Sequence, residues 1–233
     1  PNVHVENTLF AGNSAMRYGG GMYVDAHPIA LENVIFAGNE AEMGGGFAIV
    51  NEGQPTLTQV TFVGNDADYG GGLVAQESGA QPVMRNVTFS DNTSFTEGAI
   101  LFWYSASATF EYCNAWNNTP ANYYGVADPT GQDGNLSVDP AYLDTSLPDP
   151  LAWDLHLDLG SALIDAGDPA LTDPDGSLPD IGSYGGPGAD LWDLDGDGYP
   201  VWWFPGPYDF ATYPGQGWDC QDQDAGISPG NGC

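Results

Sequence analysis

The chain has 233 residues, including 33 glycines and 18 prolines, and its only fixed cations are two arginines, which leaves a formal net charge of −30. A charge of this size repels nucleic acid and anionic membranes and attracts cations. No run of about 18 apolar residues is present that could span a membrane. The glycine and proline content predicts many turns and little helix.

An asparagine recurs through the first half of the chain at intervals of 26, 26, 27 and 26 residues: Asn13, Asn39, Asn65, Asn92 and Asn118. Short apolar runs with the alternation of a β-strand lie between these asparagines, as at 31–36. A fixed period with two or three short strands per repeat indicates a solenoid with one coil per repeat. We therefore predict an all-β fold, a right-handed single-stranded parallel β-helix of about five coils over residues 1–135.

Coils stacked about 4.8 Å apart align equivalent residues in columns along the rod. We expect the recurrent asparagines to form a structural ladder, in which each amide bonds to the neighbouring coils and accepts the left-handed conformation of a turn. The runs of three glycines that follow the first three asparagines are expected to permit φ > 0 at low strain. An aromatic ladder is predicted three residues before the asparagines, formed by Phe10, Phe36, Phe62 and Phe89.

The segment NVIFAGNEAEMGGGFAIV, at 33–50, resembles the repeats of right-handed parallel β-helices in bacterial secreted and surface proteins. The segments GQDGNLSVDPAYLD, HLDLGSALIDAGDP and DPDGSLPDIGSYGG are similar to the way many such proteins end. The resemblance implies an extracellular or cell-surface location, and it implies that residues 136–189 form a cap that closes the C-terminal end of the rod. At the other end, the first coil is expected either to follow coils removed from the chain or to be covered by a partner.

Residues 190–233 change in character and form a third predicted unit, an acidic metal-binding module. Aspartates at alternating positions, a glycine at the sixth position and a backbone carbonyl at the seventh are the first half of a calcium loop. The glutamate that an EF-hand carries at position twelve is absent, so further oxygen ligands are expected from a second acidic cluster. The predicted calcium ligands are Asp193, Asp195, Asp197, the Tyr199 carbonyl, and one or more of Asp219, Asp222 and Asp224.

The two halves of this module, DLDGDGYP and DCQDQDAGISPGNGC, resemble a metal-binding motif of bacterial secreted proteins related to the methanotroph copper-binding protein MopE. Carboxylate and carbonyl ligands favour calcium, whereas copper prefers imidazole or sulfur. A second candidate metal site is formed by Asp173, Asp175 and Asp180, although Asp-Pro and Asp-Gly sequences also form ordinary turns.

Three cysteines are present. Cys113 aligns with inward-facing valines and is expected to be a buried free thiol. A disulfide between Cys220 and Cys233 would suit an oxidising compartment and would stabilise the module by roughly 2–3 kcal/mol through loop entropy. The alternative is that Cys233 attaches the chain to lipid or to another chain. Trp103 is expected to point outward, as a sugar-stacking platform or as a contact covered by the tail.

Many proteins of the β-helix fold degrade polysaccharides, with a basic residue in the lyases and clustered aspartates in the hydrolases. Here the two arginines are expected near turns, and the strand faces of the first four coils are expected to carry few carboxylates, which disfavours a paired acid–base site. We therefore expect a non-enzymatic, calcium-stabilised rod that acts in self-assembly, as a filament or sheath, or in adhesion to a cell-surface or glycan ligand. The alternative is a calcium-dependent polysaccharide-binding or polysaccharide-degrading enzyme.

Overall fold

The computed structural model describes residues 3–174 and 176–189. Within these residues the predicted all-β parallel solenoid of about five coils is confirmed. The one helix among them is a short 3-10 turn, η1 (Pro150–Ala152). It lies in the tail that follows the coils, between two antiparallel strands, β15 (Tyr142–Asp144) and β16 (Asp154–Leu157).

Three parallel sheets run along the rod. Sheet 1 contains β1 (Val3–Ala11), β3 (Ile29–Ala37), β6 (Thr56–Val63), β9 (Val83–Ser90), β12 (Thr109–Glu111) and β13 (Asn114–Trp116). Sheet 2 contains β4 (Glu40–Met43), β7 (Asp66–Tyr69) and β10 (Thr93–Thr96). Sheet 3 contains β2 (Met22–Asp25), β5 (Phe47–Val50), β8 (Leu73–Gln76), β11 (Ile100–Trp103) and β14 (Tyr123–Tyr124). The second, third and fourth coils each give one strand to every sheet.

Successive coils stack in register, so equivalent residues pair directly. In sheet 1, Phe10 pairs with Phe36, Phe36 with Phe62 and Phe62 with Phe89. The corner between sheet 3 and sheet 1 differs in length from coil to coil, and it is formed by residues 26–28, 51–55, 77–82 and 104–108. These corners absorb differences in length between the later coils, and the first coil accommodates one extra residue between Ser14 and Tyr18, which bridge to Glu40 and Met43. The strands therefore keep their alignment.

The interior of the rod is an apolar column that runs through all the coils. The aromatic ladder is present: neighbouring phenylalanine rings are stacked with centroids 5.1, 4.8 and 4.6 Å apart and planes within 8° of parallel. The glycine runs make room for these rings. A Cβ at Gly46 would lie 2.5 Å from the Gly72 carbonyl oxygen and 2.9 Å from the Phe62 ring, so only glycine lets the coils approach this closely.

The recurrent asparagines form one column of amides beside the aromatic ladder, exposed at Asn13 and buried from Asn39 to Asn118. The Asn65 side chain shows the pattern, because its Nδ2 donates to the Asn92 Oδ1 at 2.8 Å and to the Phe36 carbonyl at 2.9 Å. Its Oδ1 accepts from the backbone N–H and the Nδ2 of Asn39. The same bonds link Asn13 to Asn39 and Asn92 to Asn118, so the amides satisfy one another and the backbone without water.

The expectation that these asparagines themselves adopt the left-handed conformation is wrong. The residue before each of them has the positive φ instead: Gly12, Gly38, Gly64, Asp91 and Asn117, with φ between 52° and 62°. Because the chain turns one residue earlier, each asparagine side chain points into the rod, where its amide reaches the next coil.

The tail does not simply close the end of the rod. Residues 135–138 lie at the end, where Leu136 bridges to Asn114 and the Asn135 amide oxygen accepts from the Cys113 N–H at 2.9 Å. The rest of the tail packs along the outer face of sheet 1. There Trp153, Leu155 and Tyr184 cover an apolar strip of the strands, formed by Ile35, Ala37 and Val63.

A second amide column holds the tail on sheet 1. It consists of Asn7, Asn33, Gln59 and Asn86, which stack with positive φ in the middle of the long strands. The Asn33 Nδ2 donates to the Ser183 and Gly185 carbonyls at 2.7 and 2.9 Å. With its amide oriented to match donors to acceptors, Gln59 donates to the Gly182 and Asp180 carbonyls, and the Asn86 Oδ1 accepts from the Asp168 N–H.

Replacing Phe62 by alanine should lower the free energy of unfolding by about 3–5 kcal/mol, because it removes a fully buried ring from the middle of the aromatic ladder. Urea unfolding followed by circular dichroism measures the change. Phe95→Ala is the matched control, since that ring is 83% exposed and its loss should change stability by less than about 0.5 kcal/mol. Equal effects of the two substitutions would contradict the assignment of the core.

Candidate binding face

Four carboxylates share the outer face of sheet 2. Glu40 and Glu42 on β4 and Asp66 and Asp68 on β7 are exposed, while the alanines between them face inward. Glu40 pairs directly with Asp66. Together with flanking residues of the first and fourth coils they line an open groove of about 700 Å³, which we call the sheet 2 groove: Ser14, Met16, Glu40, Glu42, Asp66, Asp68, Thr93 and Phe95.

These acids form a regular grid of like charges. Neighbouring coils are about 4.8 Å apart, and alternate residues along one strand are about 6.6 Å apart. Like charges directly opposite each other on neighbouring strands destabilise a sheet. None of the ion pairs within residues 3–174 and 176–189 involves any of the four carboxylates. The face therefore favours a cation supplied from outside these residues.

Of the two arginines, Arg85 is engaged away from this face, whereas Arg17 directly follows Met16 at one end of the groove. Arg85 lies within β9, so the expectation that both arginines are near turns is wrong for this residue. Its Nη2 lies 2.8 Å from the Glu111 carboxylate and its Nε lies 3.1 Å from Asp168, which ties the tail to sheet 1. The hydrogen bond to Glu111 raises the pKa of Arg85 further above its ordinary value. The Arg17 guanidinium lies 4.8 Å from the Tyr18 ring centroid.

Apolar and aromatic side chains border the sheet 2 groove. Met16 and Phe95 line its two ends along the rod and are 97% and 83% exposed. One residue beyond Glu42 and Asp68, the strands continue with Met43 and Tyr69 into an aromatic strip on the outer face of sheet 3. The strip covers the buried Ala48, Val74 and Leu101, and it contains Tyr18, Met43, Tyr69 and Trp103.

Trp103 points outward, as its position in the strand predicted, and belongs to this strip. Its ring lies 5.0 Å from Tyr69 and 6.1 Å from Tyr104, measured between centroids. Tyr104 is 68% exposed. The strip thus presents flat aromatic surface beside the acidic groove.

The predicted calcium ligands Asp193, Asp195, Asp197, Tyr199, Asp219, Asp222 and Asp224 lie outside the described residues, as do Asp175, Cys220 and Cys233. Of the second candidate site, Asp173 accepts hydrogen bonds from the backbone N–H groups of Asp180 and Gly186, and Asp180 accepts one from Asp165. These two carboxylates therefore organise turns of the tail. Within the described part of the chain, no three His, Cys, Asp or Glu side chains converge closely enough to hold a metal ion.

Cys113 is a free thiol with no exposed surface, in the inward position that its alignment with the valines predicted. Its Sγ lies 3.5 Å from the Met84 carbonyl oxygen and 3.4 Å from that of Glu111. Burial away from water disfavours the thiolate and raises the pKa of Cys113 to about 12. The thiol is consequently a packing group of the core.

Alkylation of Cys113 in the folded protein should be more than about a hundredfold slower than in the unfolded chain at mildly alkaline pH, because a thiol with a raised pKa is almost entirely protonated there. Peptide mapping after timed iodoacetamide treatment follows this cysteine separately from the other two. The unfolded chain in urea is the control. Rapid labelling of Cys113 without unfolding would contradict its inward placement.

The expectation that the strand faces of the first four coils carry few carboxylates is wrong for sheet 2. The signal was present in the sequence as the alternating runs EAE at 40–42 and DAD at 66–68, one repeat apart. The second amide column had a comparable signal, because Asn7, Asn33, Gln59 and Asn86 follow the repeat interval.

Comparison of this chain with protein-family models, with curated proteins and with solved structures gives no match. Among the residues that the structure describes, no helix is long and apolar enough to cross a membrane.

Proposed function

We propose that this chain is an extracellular, non-enzymatic structural protein, a β-solenoid rod of the bacterial secreted or surface type. It acts in self-assembly, as a filament or sheath subunit, or in adhesion. The observation that carries the proposal is the unbroken stack of buried amides and phenylalanines, which makes coils 1 to 5 one continuous body. Such a rod presents long lateral faces to partners, and contacts repeated head to tail between copies generate filaments.

The placement of Arg85 and His156 supports a structural role. Arg85 is paired with Glu111 and Asp168, and His156 is paired with Asp154 at 2.6 Å while stacked on Tyr184 at 3.9 Å. Both contacts hold the tail together or fasten it to sheet 1. These residues serve the fold, so they do not offer the basic catalytic group that polysaccharide lyases of this fold use.

Calcium is proposed to order residues 190–233. This segment contains eight aspartates and no lysine, arginine or histidine. Its alternating Asp193, Asp195 and Asp197, followed by the Tyr199 carbonyl, provide oxygen ligands of the kind that calcium prefers. One or more of Asp219, Asp222 and Asp224 complete the set. A Cys220–Cys233 disulfide would add a covalent constraint, unless Cys233 is used for attachment to lipid or to another chain.

Electron microscopy of the purified chain, with calcium and after chelation, tests the assembly role. Filaments or sheets should form with calcium, and their number should fall when calcium is removed. Particles of single-rod size at high protein concentration in both conditions would contradict self-assembly and would leave adhesion as the proposed role.

Calcium should raise the melting temperature of the C-terminal segment, because a ligand that binds only the folded form stabilises it by mass action. Magnesium should do so poorly, since it needs a tighter octahedral site. Calorimetry with calcium, magnesium or chelator measures the effect at calcium concentrations around 1 mM, the range in which extracellular modules bind. Asp195→Ala should abolish the calcium effect and Asp209→Ala should retain it. An unchanged melting curve after chelation would contradict the calcium site.

A second candidate function, polysaccharide degradation, is favoured by one observation. Glycosidases work with two carboxylates on either side of the scissile bond, and the sheet 2 groove contains four. Incubation with neutral and amino-sugar polysaccharides, followed by an assay for new reducing ends, tests it. Activity that disappears in Asp66→Asn and Glu40→Gln variants, and persists in Glu52→Gln, would replace the non-enzymatic proposal.

A further inference from the structure

We propose that the sheet 2 groove binds a linear glucosamine polymer with free amino groups, lying along the axis of the rod. The inference rests on the adhesive form of the proposed function and names the ligand of that adhesion. The groove is an unpartnered sheet face, and its occupant follows from charge, from the order of side chains along the rod and from the aromatic border.

Charge selects a cationic ligand. The four groove carboxylates are exposed and belong to none of the ion pairs of the described residues, and the C-terminal segment 190–233 contains no basic residue that could reach them. An anionic or strongly acidic polymer would be repelled by this face and by the net charge of −30. A polymer with a positive charge on every unit would instead relieve the repulsion between neighbouring coils.

The arrangement of the carboxylates selects an extended ligand over a single metal ion. Within residues 3–174 and 176–189 no three acidic, histidine or cysteine side chains converge on one point. The four carboxylates are instead spread over two coils, with spacings of about 4.8 Å along the rod and about 6.6 Å across it. Each ion pair between a groove carboxylate and a ligand ammonium group is weak. When the charges of one polymer are spaced so that several pairs form at once, their combined affinity exceeds that of any single pair.

The order of side chains along the rod fits a sugar better than a simple polycation. One column reads Ser14, Glu40, Asp66 and Thr93, and therefore has hydroxyl groups at both ends of the paired acids. The neighbouring positions in the groove carry Glu42 and Asp68 with exposed Met16 and Phe95 at the ends. Hydroxyls can bond to sugar hydroxyls, and an exposed ring can pack against the apolar face of a pyranose.

The aromatic border adds a second attraction for the same ligand. Phe95 lines the groove itself, and Tyr69 follows Asp68 directly in β7 and leads into the aromatic strip with Trp103. A ligand ammonium group near the face of such rings is attracted by the negative charge of the ring face. A glucosamine unit carries an ammonium group, hydroxyls and an apolar ring face together, whereas a lysine peptide lacks the last two.

Isothermal titration of the full chain with a fully deacetylated glucosamine hexamer tests the proposal. The measurement is made in chelator at mildly acidic pH, where the amines are protonated and the carboxylates ionised. The N-acetylglucosamine hexamer and the lysine hexamer are titrated in parallel. The deacetylated sugar should bind, binding should weaken as salt is raised, and the acetylated sugar should bind at least about tenfold more weakly.

Three variants separate charge, stacking and general effects. The double variant Glu42→Gln/Asp68→Asn should weaken binding about tenfold, as expected for two exposed ion pairs, and Phe95→Ala should weaken it about threefold. The matched control Glu52→Gln/Glu77→Gln removes the same charge from exposed turns outside the groove and should leave the affinity unchanged.

Several results would overturn the inference: no binding of the deacetylated sugar, equal binding of the acetylated sugar, or equal losses in the groove and control variants. A lysine hexamer that binds as well as the sugar, with Phe95→Ala without effect, would assign the groove to a basic peptide instead. Because the titration is done without calcium, a failure here is distinct from a failure of calcium-dependent assembly in the microscope.

Discussion

In-register parallel stacking is the constraint on which the rest of this molecule depends. Each coil repeats the chain path of the previous one about 4.8 Å away, so every side chain meets its own counterpart. For phenylalanine and asparagine this is favourable, because flat rings stack and an amide is both donor and acceptor for another amide. For glutamate and aspartate it is unfavourable, since equal charges face each other. The interior and the sheet 2 groove are opposite outcomes of one geometry.

The tail covers the apolar outer face of sheet 1 and shields it from water. The outward side of sheet 1 carries Ile35 and Val63, which water would not cover favourably. The positive φ of Asn33 and Gln59 interrupts the strands and aims their amides outward, where they bind the backbone of the tail. The irregular segment at 180–186 thereby gains hydrogen-bond partners at fixed intervals, and its own carbonyls are satisfied.

The coil count and the aromatic ladder could be predicted because their residues recur at one sequence period. The inward thiol could be predicted because Cys113 occupies a repeat position that is valine in earlier coils. The lateral position of the tail could not, because the contact between Asn33 and Ser183 joins residues 150 positions apart with no shared pattern. The acidic face was visible as EAE and DAD but was missed, since short charged runs are also typical of turns. The sequence alone does not show which residue of each glycine–asparagine pair takes the left-handed conformation, because both residue types tolerate it. In the structure Gly38 has the positive φ, which leaves Asn39 to form the hydrogen bonds of the amide column.

The unequal corners between sheet 3 and sheet 1 bear on how such a chain can change in evolution. A residue gained within a strand would reverse every side chain that follows it, from core to surface. A residue gained at this corner, as in the longer corner at 77–82, moves no strand, and its Ala80 simply fills the added space in the core. Insertions and deletions should therefore accumulate mainly at this edge of the rod, and the same edge is where a loop or a reporter domain could be grafted without disturbing the stack.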